Sequence, residues 1–290
     1  LLDKNNYHTF QPLLYQVSTG GLEPDSIAYP IRKILKDFPN FHFRMADVHE
    51  INAVKNEVLT DIGMLKFDYL VVASGSETNY FGNTEIEKHS TAMKSIPESL
   101  NLRSLILENF EDALLTSDLN ERNALMNFVI VGAGPTGVEL AGALAEIKKG
   151  ILPKDYPDLD TRMVQINLIQ SSDRILKEMS ENASKKAEDF LENLGVNIWK
   201  NVRVSSYDGK IATTNSDVTF ETATLIWAAG VKGATIKGLD SAEFVTKGAR
   251  ILVNEYNQVK GFSQIFAIGD VACMECEEFP RGLPMMAQPA

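Results

Sequence analysis

Residues 128–147 read FVIVGAGPTGVELAGALAEI. Phe128 to Val131 form a short apolar run with β-branched members, which leads directly into Gly132, Gly134 and Gly137 at G-x-G-x-x-G spacing. The run Val138 to Lys148 that follows is built of helix formers. Strand, tight turn, helix is the predicted order. Each glycine has its own task in such a turn. Gly132 permits the sharp change of direction, Gly134 lets the backbone approach a pyrophosphate, and Gly137 lets the helix pack closely on the strand. The N–H groups at the start of the helix then face the phosphates. Three glycines alone would fit any glycine-rich turn; the flanking strand and helix make this a dinucleotide-binding fingerprint.

Outward from that turn, residues 124 to about 250 repeat the strand and helix pattern. MVQINLIQ reads as a strand, ENASKKAEDFLENLG as a helix and ATLIWAAG as a buried strand, enough for one complete nucleotide-binding domain. Before it, LLDKNNYHTF reads as the end of a strand followed by a loop. Residues 22–38 carry helix signals, with Pro24 and Asp25 near the start and Ile27, Ile31, Ile34 and Leu35 at helical spacing. Residues 41–76 read as short strands ending in the buried strand Tyr69 to Ala73, and residues 97–120 read as helical. A polar break at Asn120 to Asn123 marks the first boundary. The last apolar strand, IFAIGDVA, has too little chain after it to found a new domain and is expected to return to the first. The expected organisation is therefore a first domain over 1–120, an inserted nucleotide-binding domain over 121–250, and a returning piece over 251–290.

Composition narrows the partners. Of 290 residues, 44% are hydrophobic and 23% charged, which suits a globular chain of about two domains. A formal net charge of −11 and the lack of any basic block argue against a nucleic-acid surface. Cys273 and Cys276 are the only cysteines. They form a C-x-x-C in an acidic, loop-like stretch and are read as two reduced thiols, with neither a disulfide framework nor a four-cysteine zinc site available. His8, His42, His49 and His89 lack the spacing of a metal site or a triad, so no metal is expected. No run of about 18 apolar residues or signal-peptide pattern is present.

Taken together, NNYHTFQPLLYQVSTGGLEP, FDYLVVASGS, VIVGAGPTGVELAGALAE, IWAAGV, IFAIGDVA and PMMAQPA, in this order and spacing, resemble the bacterial type II NADH dehydrogenases. These single-subunit NADH:quinone oxidoreductases are flavoproteins of the respiratory chain. The resemblance spans essentially the whole chain. It implies two Rossmann-like dinucleotide-binding domains, one for FAD and an inserted one for NADH, with electrons passing to a membrane quinone. It also implies a peripheral enzyme on the cytoplasmic side of the bacterial inner membrane, and a homodimer. The first FAD glycine fingerprint and the C-terminal membrane-binding helices of that family are expected to lie outside this chain.

Hydride transfer between cofactors needs little acid or base chemistry, because the protein's task is alignment and electrostatic tuning. By the resemblance, Glu139 lies near the nicotinamide and flavin rings, and Ala287 and Gln288 lie where quinone approaches. Asp3 matches the acidic residue for the FAD ribose, Asp270 the aspartate that holds the ribityl or phosphate side, and Pro12 and Leu13 a segment near the flavin ring. Val48, Ala73, Gly75, Pro135, Thr136, Ala229, Gly230 and Gly269 complete the cofactor-binding set. One departure concerns the nucleotide. Where NADH-specific members commonly carry a glutamate that binds the ribose hydroxyls, this chain has Gln170, followed closely by Ser171, Ser172 and Arg174. An amide lacks the charge that repels a 2′-phosphate, so NADPH joins NADH as an expected donor. The competing expectations are a ferredoxin- or rubredoxin-reductase-like flavoprotein and a nucleotide-binding module without turnover.

Overall fold

In the computed structural model, which describes residues 1–275, strand Asn127–Val131 runs through the middle of a four-stranded parallel sheet. On one side it pairs with Gln165–Gln170 (Val131 opposite Ile169), which in turn pairs with Asn197–Lys200. On the other side it pairs with Thr224–Trp227, placing Val131 opposite Trp227. Phe128, Val129, Ile130, Ile166, Leu168, Ile169, Leu225 and Ile226 are all 1% exposed or less. Continuous burial of this kind is what a parallel strand covered on both faces requires, and it explains why these strands read as unbroken apolar runs.

This sheet belongs to one of two compact units, made of Thr9–Ala28 and Tyr80–Gly230. Helix Ile96–Leu115 starts with a capping box, in which Ser95 accepts from the Glu98 amide while the Glu98 carboxylate accepts from the Ser95 amide. Its buried face, including Leu102, Ile106, Phe110 and Ala113, follows helical spacing. Phe110 packs on Phe128, with ring centroids 5.6 Å apart, and the buried Asn109 amide donates to Thr224 Oγ1 at 2.6 Å. The segment before it is held likewise. Leu14 and Val17 of helix Leu14–Ser18 are buried, and Ser18 Oγ donates to Met93 Sδ at 3.2 Å.

The other unit consists of Leu1–His8, Tyr29–Asn79 and the chain from Val231 onward. It holds short pairings: Leu2–Asp3 with Arg44–Met45, Leu70–Val72 with Ile265–Ala267, and Ile251–Val253 with Ala272–Met274, all parallel. An antiparallel meander runs through Val48–Asn52, Glu57–Thr60 and Gly63–Lys66. Ser76–Thr78 pairs antiparallel with Val231–Gly233. Ile51, Val58, Val72, Leu239, Ile251, Val259, Ile265 and Ala267 share one core.

By its contacts the chain changes unit at Asn79/Tyr80 and Gly230/Val231, and residues 9–28 go with the glycine-turn sheet. Local expectations are corrected. The supposed polar break is a helical corner. Asp118 caps helix Leu119–Leu125 by accepting from the Asn120 amide, and Arg122 Nε returns to the Ala113 carbonyl of the preceding helix. Of the helix expected over 22–38, only Ile31–Ile34 and a 3-10 turn at Pro24–Ser26 form. Pro30 interrupts the pattern, because a proline inside a helix removes a donor and clashes with the turn before it. Cys273 lies in strand Ala272–Met274, is 1% exposed, and burial pushes its thiol pKa up. Cys276, Ala287 and Gln288 lie outside the described residues.

Candidate functional site

The glycine turn is built by exclusion. Gly132 has φ +105°, and a Cβ there would stand 2.5 Å from the Ala228 carbonyl oxygen and 2.6 Å from Ala229 Cα. At Gly137 a Cβ would stand 1.9 Å from the carbonyl oxygen of Gly132. Neither position has room for a side chain, so turn, helix and the end of strand Thr224–Trp227 interlock. Gly134 is the opposite case. Its φ is −74°, open to any residue, and a Cβ would meet nothing within 4 Å. The backbone there borders open space, which is what a pyrophosphate lying against it needs.

Helix Pro135–Gly150 begins at that opening with Gly134 as N-cap. Pro135 has no N–H to leave unsatisfied. The first intrahelical bond runs from the Val138 amide to the Gly134 carbonyl at 3.0 Å, so the N–H groups of Thr136 and Gly137 precede it. With the positive end of the helix dipole they form an anion site. The open sheet supplies a second reason for a ligand here. Strand order reverses beside Asn127–Val131, since the next strand in sequence lies on one side and Thr224–Trp227 on the other. Ligands of open α/β sheets bind in the crevice at such a switch point, outside the carboxyl ends of the strands.

Gln170 ends strand Gln165–Gln170 and reaches back into the turn. Its Oε1 accepts from the Ala133 amide at 3.1 Å, and its Nε2 donates to Ser172 Oγ at 2.7 Å. Ser172 Oγ donates on to the Arg174 carbonyl at 3.0 Å, while the Leu176 amide donates to the Ala133 carbonyl at 2.8 Å. Both polar groups of Ala133 are thus held by residues 170–176. Sequence reading missed this lacing, although the serine two positions after Gln170 was visible. Arg174 Nη2 donates to the Lys177 carbonyl, and its Nη1 is buried without a hydrogen-bond partner among the described residues.

Glu139 lies just past the first turn of the helix, which contains no acidic residue, rather than within it. It is exposed, yet desolvation by the surrounding protein raises its carboxyl pKa. A first-turn carboxylate would have its charged form favoured by the dipole; desolvation at Glu139 acts in the opposite sense and favours the neutral form.

In the other unit, Ser76 Oγ donates to Asp270 Oδ2 at 2.8 Å, and the Ala234 amide donates to the Gly75 carbonyl at 3.0 Å. Gly269, with φ +69°, and Gly75, with φ +73°, both border open space. Three expected positions, Gly75, Gly269 and Asp270, therefore come together around one hydrogen bond with Ser76, a residue that sequence reading did not single out. Asp3 accepts from the Asn5 amide at 2.8 Å, within its own loop. Val48 opens the meander, and Ala73 is exposed just after strand Leu70–Val72. Pro12 and Leu13 form a 3-10 turn that belongs to the glycine-turn unit. Among the described residues no helix is long and apolar enough to cross a membrane.

A four-stranded parallel sheet with a glycine turn at its switch point, and a second unit with short parallel pairings, define a dinucleotide-binding flavoprotein fold. The chain belongs to the pyridine nucleotide-disulphide oxidoreductase family, whose model matches residues 1–290. It is similar to the type II NADH:quinone oxidoreductase Ndh of Mycobacterium tuberculosis, at 34% identity over all of this chain and 64% of that protein. It is 31% identical to the external alternative NAD(P)H-ubiquinone oxidoreductase B1, mitochondrial, of Solanum tuberosum, over 95% of this chain and 51% of that one. The structure of NDH2 from Plasmodium falciparum in complex with NADH superimposes with a TM-score of 0.87 at 25% identity, covering 95% of this chain and 59% of that one. The chain thus spans less than two thirds of the length of these relatives.

Proposed function

We propose that this chain is the dinucleotide-binding part of an FAD-dependent NAD(P)H:quinone oxidoreductase. The observation that carries the reading is the contrast within the glycine turn: two glycines walled in by backbone and one, Gly134, facing open space at a helix N terminus and a switch point. The relatives' names, NADH:quinone and NAD(P)H-ubiquinone oxidoreductase, supply the class of donor and acceptor. In this reading the turn holds the pyrophosphate of the nicotinamide nucleotide, and Gly75, Ser76, Gly269 and Asp270 hold FAD. Asp3 and Val48 serve the same cofactor. FAD held there would supply the acceptor for the hydride and the path of electrons to quinone.

The chain's own groups align the donor. Gln170 is neutral; its oxygen is engaged by the Ala133 amide and one Nε2 hydrogen by Ser172 Oγ, which leaves a single N–H. Such a group does not repel a 2′-phosphate, which favours NADPH as a second donor beside NADH. In this reading Glu139 lies near the reacting rings, which its position on the glycine-turn helix supports, and the resemblance assigns Ala287 and Gln288 to the quinone. The same reading makes the enzyme a peripheral one at the cytoplasmic face of a bacterial inner membrane, and a homodimer.

Calorimetric titration of NADH and NADPH into the protein and its Gly134→Asp variant tests the site. Aspartate is a favoured N-cap, so the helix keeps its stability. The new carboxylate sits where two phosphates must lie, and we expect binding to fall at least about a hundredfold, roughly 2.7 kcal/mol. Wild-type affinity in the folded variant would remove the pyrophosphate from this turn.

A further inference from the structure

Phe81 is in an unfavourable place twice over. It has φ +53°, a left-handed conformation that bulky residues rarely adopt, and its side chain is 67% exposed. The strain is set by a tight turn. The Asn83 amide donates to the Tyr80 carbonyl at 3.0 Å, and Phe81 and Gly82 between them have φ +53° and +78°. Two left-handed central residues are the mark of a type I′ turn, where asparagine, aspartate and glycine are the residues that fit. Both ends are anchored. Tyr80 stacks on Trp227 with ring centroids 6.0 Å apart, and Asn83 caps helix Thr84–His89 through the Ile86 amide at 3.0 Å. The turn therefore holds one aromatic ring inward and the next one outward.

The outward ring stands at the end of the switch-point crevice. A Cβ on Gly230 would lie 3.0 Å from Phe81 Cζ, so the ring tip packs directly on this glycine and a side chain there would push it by a few tenths of an ångström. Gly230 follows Ala228 and Ala229, which wall in Gly132. A dinucleotide lying across the turn has its adenosine half toward Gln170, at the end of the neighbouring strand, because that is where the second strand of a βαβ unit meets the ribose. Its other half must then extend to the opposite side of Asn127–Val131, over the end of Thr224–Trp227 and toward Gly230. Backbone strain that burial does not offset is concentrated at functional positions.

We propose that Phe81 is a positioning residue that covers the nicotinamide end of the bound dinucleotide, its ring packing against the pyridine ring. The proposal rests on the reading that the Gly132 to Gly137 turn holds the pyrophosphate. ADP-ribose separates the two, because it is the same molecule without the nicotinamide. Phe81→Asn removes the ring and suits the turn, so the variant folds with a thermal midpoint at or above that of the parent. Calorimetry should show NADH affinity lower by roughly fivefold to tenfold, the range of an aromatic contact, with ADP-ribose affinity within about twofold of the parent. Phe81→Tyr should restore NADH binding. Equal weakening of both ligands, or of neither, would overturn the role of Phe81 and leave the pyrophosphate site standing. A parent protein that binds neither NADH nor ADP-ribose would instead remove the site itself, and the proposal with it.

Discussion

The two turns at Gly132 and Gly269 follow buried parallel strands of similar character, yet the molecule treats them differently. Around Gly132 the backbone of residues 228 and 229 and the carbonyl of Gly132 itself leave no space for a side chain at Gly132 or Gly137. Around Gly269 a Cβ would meet nothing within 4 Å, and only the left-handed φ of +69° sets a requirement. The units that contain them differ in the same way. The first is organised by a four-stranded parallel sheet with strands up to six residues long, accompanied by a three-stranded antiparallel sheet over Val204–Tyr207, Ile211–Thr214 and Thr219–Glu221. The second is assembled from paired strands as short as two residues, joined by a shared core. A crowded glycine reports close packing of helix on strand; an open one reports a backbone conformation beside free volume.

Substitution at these glycines gives the largest expected contrast. Gly137→Val forces a side chain against a carbonyl that a Cβ alone would approach to 1.9 Å, and should cost roughly 3 kcal/mol or more. Gly269→Ala should cost only the left-handed penalty, about 1 to 2 kcal/mol. Urea unfolding of both variants measures the difference, and equal losses would dissolve the distinction between the turns.

A smaller effect tests where the long helix belongs. Asn109→Ala removes the buried donor to Thr224 Oγ1 and leaves that hydroxyl without its partner. About 1 to 2 kcal/mol should be lost, with faster amide exchange in strand Thr224–Trp227. Unchanged exchange there would show that the helix does not secure the glycine-turn sheet.

The smallest effect depends on pH. The folded-state pKa of Glu139 is raised by desolvation, so the folded protein favours the protonated form more than the unfolded chain does. Stability from this group is complete below the unfolded value, about 4.3, and is lost as pH rises through the higher folded value. Glu139→Gln carries no such titration. Its stability relative to the parent should therefore grow as pH rises across the carboxylate range, modestly because the group is exposed. Parallel stability curves for parent and variant would contradict the raised pKa.

Much of the nucleotide turn was legible without coordinates. The run Phe128 to Val131, the three glycines and the helix formers after them are local signals, and strand, turn and helix each form within a few residues of their pattern. The strands at Gln165–Gln170 and Thr224–Trp227 were legible for the same reason, since full burial on both faces demands continuous apolar side chains. Other features depend on partners far away in the chain. Residues 9–28 and 80–120 carry no mark of the sheet they join, because their attachment is made by Ser18 with Met93, Asn109 with Thr224 and Phe110 with Phe128. The helix expected over 22–38 failed locally, at Pro30. The turn of Gln170 toward Ala133 and the desolvation of Glu139 were decided only by tertiary structure. A side chain's identity lists the bonds it can make, but which donor it meets, and how much water it keeps, is set by the backbone that folding brings beside it.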